Sequence, residues 1–161
     1  MIIRKATYND LDIMQDIFKC AREYMKKEGN PTQWKDDRPP LFLIEKDLNK
    51  GVSYIIEEDG VPVGTFSYTL GIEPTYVKIF DGQWINDKPY GTIHRIASNG
   101  KVSGIFDFVL KFVETFGVDI RIDTHQDNKT MLRHIKDSGF TYCGIIYIDD
   151  GTSRLAFQKV I

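Results

Sequence analysis

Between Tyr90 and Phe116 the chain reads YGTIHRIASNGKVSGIFDFVLKFVETF, and no other stretch limits its fold as strongly. Ile93, Ile96 and Ala97 mark a half-buried strand, which runs into a polar turn, Ser98-Asn-Gly-Lys101. A helix follows, with Ile105, Phe108, Val109, Phe112, Val113 and Phe116 spaced to form one buried face. Such a junction aims unpaired backbone N–H groups and the positive end of a helix dipole at one spot beyond the strand, which suits a phosphate. Gly104 allows close approach to the backbone and Lys101 adds a cation. Many strand–turn–helix units of this composition bind nothing, so both readings stand at this point. The nucleotide-triphosphate loop is excluded, because it needs Gly where Arg95 stands and Ser or Thr where Val102 stands.

The rest of the chain supplies a frame for that unit. Ile2 to Ala6 reads as a strand. Asn9 or Asp10 caps a helix with Leu11, Ile13, Met14, Ile17, Phe18, Ala21 and Met25 inward, ending near Gly29. A turn-rich loop, Gly29 to Trp34, leads to Pro39-Pro40 and a second helix, Leu41 to Asn49, closed by Gly51. Val52–Glu57 and Val61–Tyr68 are strands joined at Asp59-Gly60, a hairpin signal. Gly71 to Lys88 lacks periodicity and reads mostly as loop. Asp119–Asp123 is a strand, Asp127 or Asn128 opens a helix that ends at Gly139, and Phe140–Ile148 with Arg154–Lys159 form a closing hairpin. The order β-α-α-β-β-β-α-β-α-β-β predicts an α/β fold, a mixed sheet with helices on both faces. At 161 residues without a linker or repeat, the chain reads as a single domain, 1–161.

Charge and cysteine usage narrow the function classes. With 21 basic and 23 acidic residues the chain has no global drive toward nucleic acid. No apolar run is long enough to span a membrane, and the start lacks a signal peptide's apolar core. Cys20 and Cys143 have no metal-ligand spacing and read as reduced, buried thiols. The expected location is the cytoplasm, with no metal.

The element order and two local motifs resemble the GNAT superfamily of acetyl-CoA-dependent N-acetyltransferases, over essentially the whole chain. The first motif is the superfamily's pyrophosphate loop: Gln or Arg, two residues, Gly, one residue, then a small residue. Here it reads Lys101-Val102-Ser103-Gly104-Ile105-Phe106, with Lys at the first position and Phe106 at the small one. The second is a helix opened by Asn128 and ended by Gly139-Phe140. The resemblance implies splayed central strands, acetyl-CoA as co-substrate in the gap, and its pyrophosphate on the N–H groups from Val102 to Phe106. It further implies a backbone N–H near His94, Arg95 and Ile96 that polarises the thioester carbonyl. An amine then attacks directly, in a ternary complex, with a base to take its proton. Lys101 through Phe106, Arg95, Ile96 and Asn128 are thus expected at the coenzyme. Where the superfamily often places an acidic Tyr, seven residues after the helix-opening Asn, this chain has Ile135.

Candidate catalytic groups are few. His94 is a base if it faces the gap, or else a hydrogen-bonded structural histidine; strict alternation would put Ile93 and Arg95 on the other face. Asp123 and His125 form an Asp-x-His pair that is either an oriented base or a helix cap. His134, mid-helix, is expected to face solvent. Tyr147 is either an acid or an aromatic strand residue. Trp34 and Trp84 sit in loops, outside periodic faces, and with Glu28 are expected at the acceptor site; the alternative for both indoles is a lid over the core edge. The expected acceptor is the primary amine of a small molecule, with no nucleic-acid or membrane partner, and a homodimer is compatible with the sequence. The competing function is a non-catalytic acyl-CoA-binding sensor, to which Phe106 and Ile135 lend support.

Overall fold

Seven strands in one sheet carry four helices in a computed structural model that describes all 161 residues. The strands are β1 (Ile2–Lys5), β2 (Ser53–Glu58), β3 (Val61–Leu70), β4 (Tyr90–Ser98), β5 (Asp119–Thr124), β6 (Thr141–Tyr147) and β7 (Ser153–Lys159). The helices are α1 (Leu11–Lys27), α2 (Leu41–Asn49), α3 (Ile105–Glu114) and α4 (Lys129–Asp137). Order across the sheet is β1-β2-β3-β4-β5-β7-β6, antiparallel except for the β4–β5 pair. The β2–β3 turn has φ of 50° at Asp59 and 76° at Gly60, the left-handed pair that a two-residue hairpin loop demands.

Two cores lie on opposite faces of the sheet. Ile105, Phe106, Val109, Leu110 and Val113 of α3, with Ile135 of α4, pack on Phe66, Ile93, Ile120, Ile122 and Phe157. Met14, Ile17, Phe18 and Ala21 of α1 meet Ile44 and Leu48 of α2 over Ile55 and Ala97. A third, smaller group, Tyr76, Tyr90, Ile146 and Ala156, buries the segment between β3 and β4 on the same face as α1. That segment is more ordered than its sequence suggests. Pro74–Tyr76 forms a short 3-10 turn, Phe80 bridges to Ile145, and the Trp84 indole N–H donates to the Tyr76 carbonyl at 2.8 Å.

Two details shape the middle of the sheet. First, β4 and β5 pair only through Tyr90–Thr92 and Asp119–Arg121, so from Ile93 onward β4 has no strand partner on its β5 side. Second, β4 carries a bulge. Ser67 pairs with His94 and Thr65 with Ala97, and Arg95 takes φ of 53°. The extra residue breaks the alternation expected from the sequence. Ile93 and Ile96 both pack toward α3, whereas the Arg95 side chain turns to α2 and gives two hydrogen-bonding contacts to Asp47 Oδ2, at 2.7 and 2.6 Å. Asp47 also accepts from the Ser67 hydroxyl at 2.9 Å, so a buried carboxylate holds the bulge in place.

Candidate active site

Where β4 and β5 part, a cavity of about 550 Å³ opens through the sheet. Ile93, Ile122 and Met131 line it from the α3–α4 side, and His94 and Asp123 from the other. Trp34, Pro39 and Pro40 approach it from the loop between α1 and α2, and Glu73 and Thr75 from the 3-10 segment.

His94 is half-buried, with Nε2 3.2 Å from Glu73 Oε2. Burial alone would raise the Glu73 carboxyl, but hydrogen bonds from His94 and Thr75, with the charge of His94, bring it down to about 2. At neutral pH Glu73 is therefore an acceptor only. A neutral His94 must then carry its proton on Nε2 and its lone pair on Nδ1. Stability follows the same group. A carboxyl depressed from 4.5 to about 2 stabilises the fold above its unfolded value, and that contribution is lost as pH falls through 2. Glu73→Gln is expected to destabilise the neutral protein by roughly 1 kcal/mol, reduced by partial solvent exposure. Urea unfolding at stepped pH should show the difference from the native chain closing between 4.5 and 2. A constant difference across that window would mean that Glu73 carries no such charge interaction.

Asp123 faces the same cavity, and its Oδ2 accepts from the Tyr76 hydroxyl at 2.6 Å. Tyr76 is fully buried; burial, then the Asp123 charge, push its phenol well above the usual range, so it stays a donor. The tyrosine ring also lies 6.3 Å from the His94 ring. Asp123 and His125 do not pair with each other. His125 Nδ1 accepts the Asp127 N–H at 3.0 Å, and its Nε2 is 3.3 Å from the Thr32 hydroxyl. That ring caps the turn before α4 and ties it to the α1–α2 loop, with its pKa lowered by burial and by Arg154. Asn128 caps α4 through the Met131 N–H at 3.1 Å, donates to Gln33 Oε1 at 2.9 Å, and lies on the cavity wall.

In the turn after β4 the N–H groups of Asn99, Gly100 and Lys101 are bonded, and those that follow are free. The N–H groups of Val102, Ser103 and Gly104 make no hydrogen bond, and those of Ile105, Phe106 and Asp107 are the first turn of α3, without helical acceptors. Gly104 has φ of 78°, and a Cβ built there meets nothing within 4 Å, so its outer face is open. Phe106 points the other way, 5% exposed in the core and stacked on His134 at 5.5 Å between ring centres. Its bulk therefore does not obstruct the loop, and His134 is half-buried rather than free in solvent. Lys101 is exposed at the turn. Arg95 and Ile96 line the cavity, whereas Lys101 to Phe106 lie beyond its wall, farther along the chain from β4. This donor array and its open glycine fit a diphosphate.

Other sequence candidates fall elsewhere. Tyr147 is half-exposed on the edge strand β6, edge-on to Phe80 at 5.4 Å, and is absent from the cavity wall. Trp84 is likewise off the wall, packed on Tyr76 and under the Arg121 guanidinium at 4.1 Å; it braces the site from behind. Glu28 is exposed at the end of α1, also away from the cavity. Cys20 is exposed, not buried, because it lies off the inner stripe of α1; Cys143 is buried. Ile135 has no exposed surface and is wholly a core residue. Sequence reasoning missed Glu73, Tyr76, Asp47 and Arg154. Glu73 precedes Pro74 and accepts from Thr75, a cap signature that Glu rarely provides. Arg154, Ala156 and Gln158 alternate with Leu155 and Phe157, a pattern that marks a second buried face on β7.

Comparison with known proteins adds a relation. The chain is 32% identical to an acetyltransferase of the GNAT family from Streptococcus agalactiae 2603, with TM-score 0.89, over 99% of this chain and 95% of the other. It is 20% identical to a GNAT-family acetyltransferase from Listeria monocytogenes 4b F2365, with TM-score 0.72, over 99% and 94%. It is 17% identical to aminoglycoside acetyltransferase AAC(6')-Ib, solved with coenzyme A and kanamycin, with TM-score 0.65, over 98% and 93%. The last two likenesses concern the fold. No family model and no curated protein matches the chain. No helix is long and apolar enough to cross a membrane.

Proposed function

Because this chain belongs to the GNAT family of acetyltransferases, we propose that it moves an acetyl group from acetyl-CoA to the primary amine of a small molecule, by direct attack in a ternary complex. The observation that carries this reading is the cavity at the β4–β5 parting, with His94 on its wall and Glu73 behind the imidazole. The thioester supplies an acyl carbon and a thiolate that leaves readily. Val102 to Phe106 would hold the diphosphate with backbone N–H groups, assisted by Lys101 and the α3 dipole. Arg95 and Ile96 would flank the pantetheine along the unpaired edge of β4.

His94 takes the amine's proton on Nδ1, and Glu73 holds the ring in the required tautomer. The new C–N bond forms as the C–S bond breaks, so no protein nucleophile is needed. Asp123, oriented by Tyr76, adds negative charge where an ammonium would enter. Release of free thiol across a panel of primary amines tests the reading. Amine-dependent release supports it, and binding of acetyl-CoA without release by any amine would favour a sensor instead.

Trp34 tests the acceptor side. Its ring lines the cavity and also meets Phe18 edge-on at 5.7 Å. Trp34→Ala should raise the acceptor KM several-fold, from loss of a cation–π contact of about 1 kcal/mol. Loss of the Phe18 contact should lower the Tm as well, with acetyl-CoA affinity nearly unchanged. Steady-state kinetics on both substrates, with melting curves, check this. An unaltered acceptor KM in a folded variant would remove Trp34 from the acceptor site.

A further inference from the structure

Arg154 is a charged group that the proposed mechanism leaves unused. It lines the acetyl-transfer cavity and is 5% exposed. Its contacts are all with neutral oxygens: Nη1 donates to the Thr152 hydroxyl at 3.0 Å and the Ser153 carbonyl at 2.8 Å, and Nη2 to the Gln33 carbonyl at 3.3 Å. Nε–H and the second hydrogen of Nη2 have no acceptor. No carboxylate stands within ion-pairing distance. Asp150 is engaged by Arg38 at 3.6 Å, and Asp123 Oδ2 by the Tyr76 hydroxyl. Burial lowers the Arg154 pKa, with Asp123 and Asp150 acting against it from farther away. Burying a guanidinium without an anion is costly, and guanidinium donors in a fixed fork match a carboxylate.

Register relates this cation to the proposed catalytic side of the cavity. Asp123 pairs with Ala156 across β5 and β7, so Arg154, two residues along, is its diagonal neighbour on the same face. Such positions are about 7–8 Å apart. The next strand over, β4, presents His94 to the same cavity. An amine near His94 and Asp123 would therefore have an anion receptor within the reach of a small molecule.

We propose that the acceptor is a free amino acid, whose carboxylate is held by Arg154 while its amine is presented to His94. This rests on the acetyl-transfer reading and names its substrate class. The charge distribution favours it over a purely cationic amine. The cavity wall carries both signs: of its carboxylates Asp47 already serves Arg95 and Glu73 serves His94, which leaves Asp123 and Asp149 for an ammonium and Arg154 for a carboxylate. A polyamine would leave Arg154 without a partner and add positive charge beside it.

The test uses matched acceptors with the full chain and acetyl-CoA: a panel of L-α-amino acids and γ-aminobutyrate, each beside its carboxamide, with putrescine as a cationic control. Two readouts are taken, calorimetric binding of the acceptor and thiol release. Members with a free carboxylate should bind, and turn over in kcat/KM, about tenfold or more better than their carboxamides. Arg154→Gln should collapse that ratio toward one, and Arg154→Lys should retain part of it. A role confined to holding the Gln33 loop would weaken both members alike and leave the ratio intact, which would overturn the proposal. So would equal binding of carboxylates and carboxamides, or failure of both to bind, in the native chain; that comparison decides even if no variant folds. Thiol release without a carboxylate preference overturns the Arg154 site and keeps acetyl transfer. A carboxylate preference in binding without thiol release from any amine keeps the site and overturns acetyl transfer.

Discussion

Gly104→Asp should abolish the rise in melting temperature that acetyl-CoA gives the native chain, and lower coenzyme affinity by about a hundredfold or more. Ligand that binds only the folded state stabilises it by RT ln(1 + [L]/Kd), so the shift grows with affinity and reports the site directly. Three features make the effect large. The loop's N–H groups from Val102 onward have no internal acceptor, so an anion there meets donors already aimed outward. A Cβ at Gly104 projects into open space, so the new carboxylate stands on the loop's outer side and repels a diphosphate. The backbone φ of 78° is also disfavoured for a residue with a Cβ, by roughly 1–2 kcal/mol. Gly104→Ala carries that strain without the charge and serves as the control. It should lose a little stability and retain a measurable shift. A folded Gly104→Asp variant with an undiminished shift would place the coenzyme elsewhere.

His94→Gln should lower kcat by about 10²–10³, with acetyl-CoA affinity nearly unchanged. Gln can still donate to Glu73 but offers no basic nitrogen, so packing is largely kept and proton transfer is lost. Glu73→Gln should have a smaller effect in the same direction, because the imidazole survives and only its tautomer is left unfixed. Pre-steady-state and steady-state thiol release, measured across pH, check both. A His94→Gln enzyme with native kcat would move the base to another group, with Asp123 a candidate on the same wall.

The chain wrote some of this more clearly than the rest. The α2 boundaries, Leu41 to Asn49, follow from a Pro before and a Gly after a short apolar face, and Asp59-Gly60 fixes its hairpin by local chemistry. The strand–turn–helix around Gly104 was legible because its pattern and its unpaired donors are both local. Arg95 was not: a left-handed arginine is set by Asp47 on α2, 48 residues away, and the bulge it forms changes which side chains share a face. Phe106 departs from the small residue that the superfamily places in the loop, yet α3 rotates it into the core, where His134 covers it. Gly71 to Lys88 lacked periodicity because long-range bonds hold it, such as the Ile85 N–H to Gln158 and the Glu73 N–H to the Tyr90 hydroxyl. The candidate partner of His94 was hidden in that segment. Arg154 became visible as a cavity group only when β7 took its register against β5.

Rapid quenching of the enzyme with acetyl-CoA labelled in its acetyl carbon, first without and then with a reactive amine, tests direct transfer most plainly. Direct attack predicts no label on the protein in either case, and label on the amine nitrogen in step with free thiol once the amine is present. Label retained on the protein before the amine is added, on the buried Cys143 or any other side chain, and chased to product afterwards, would contradict the account.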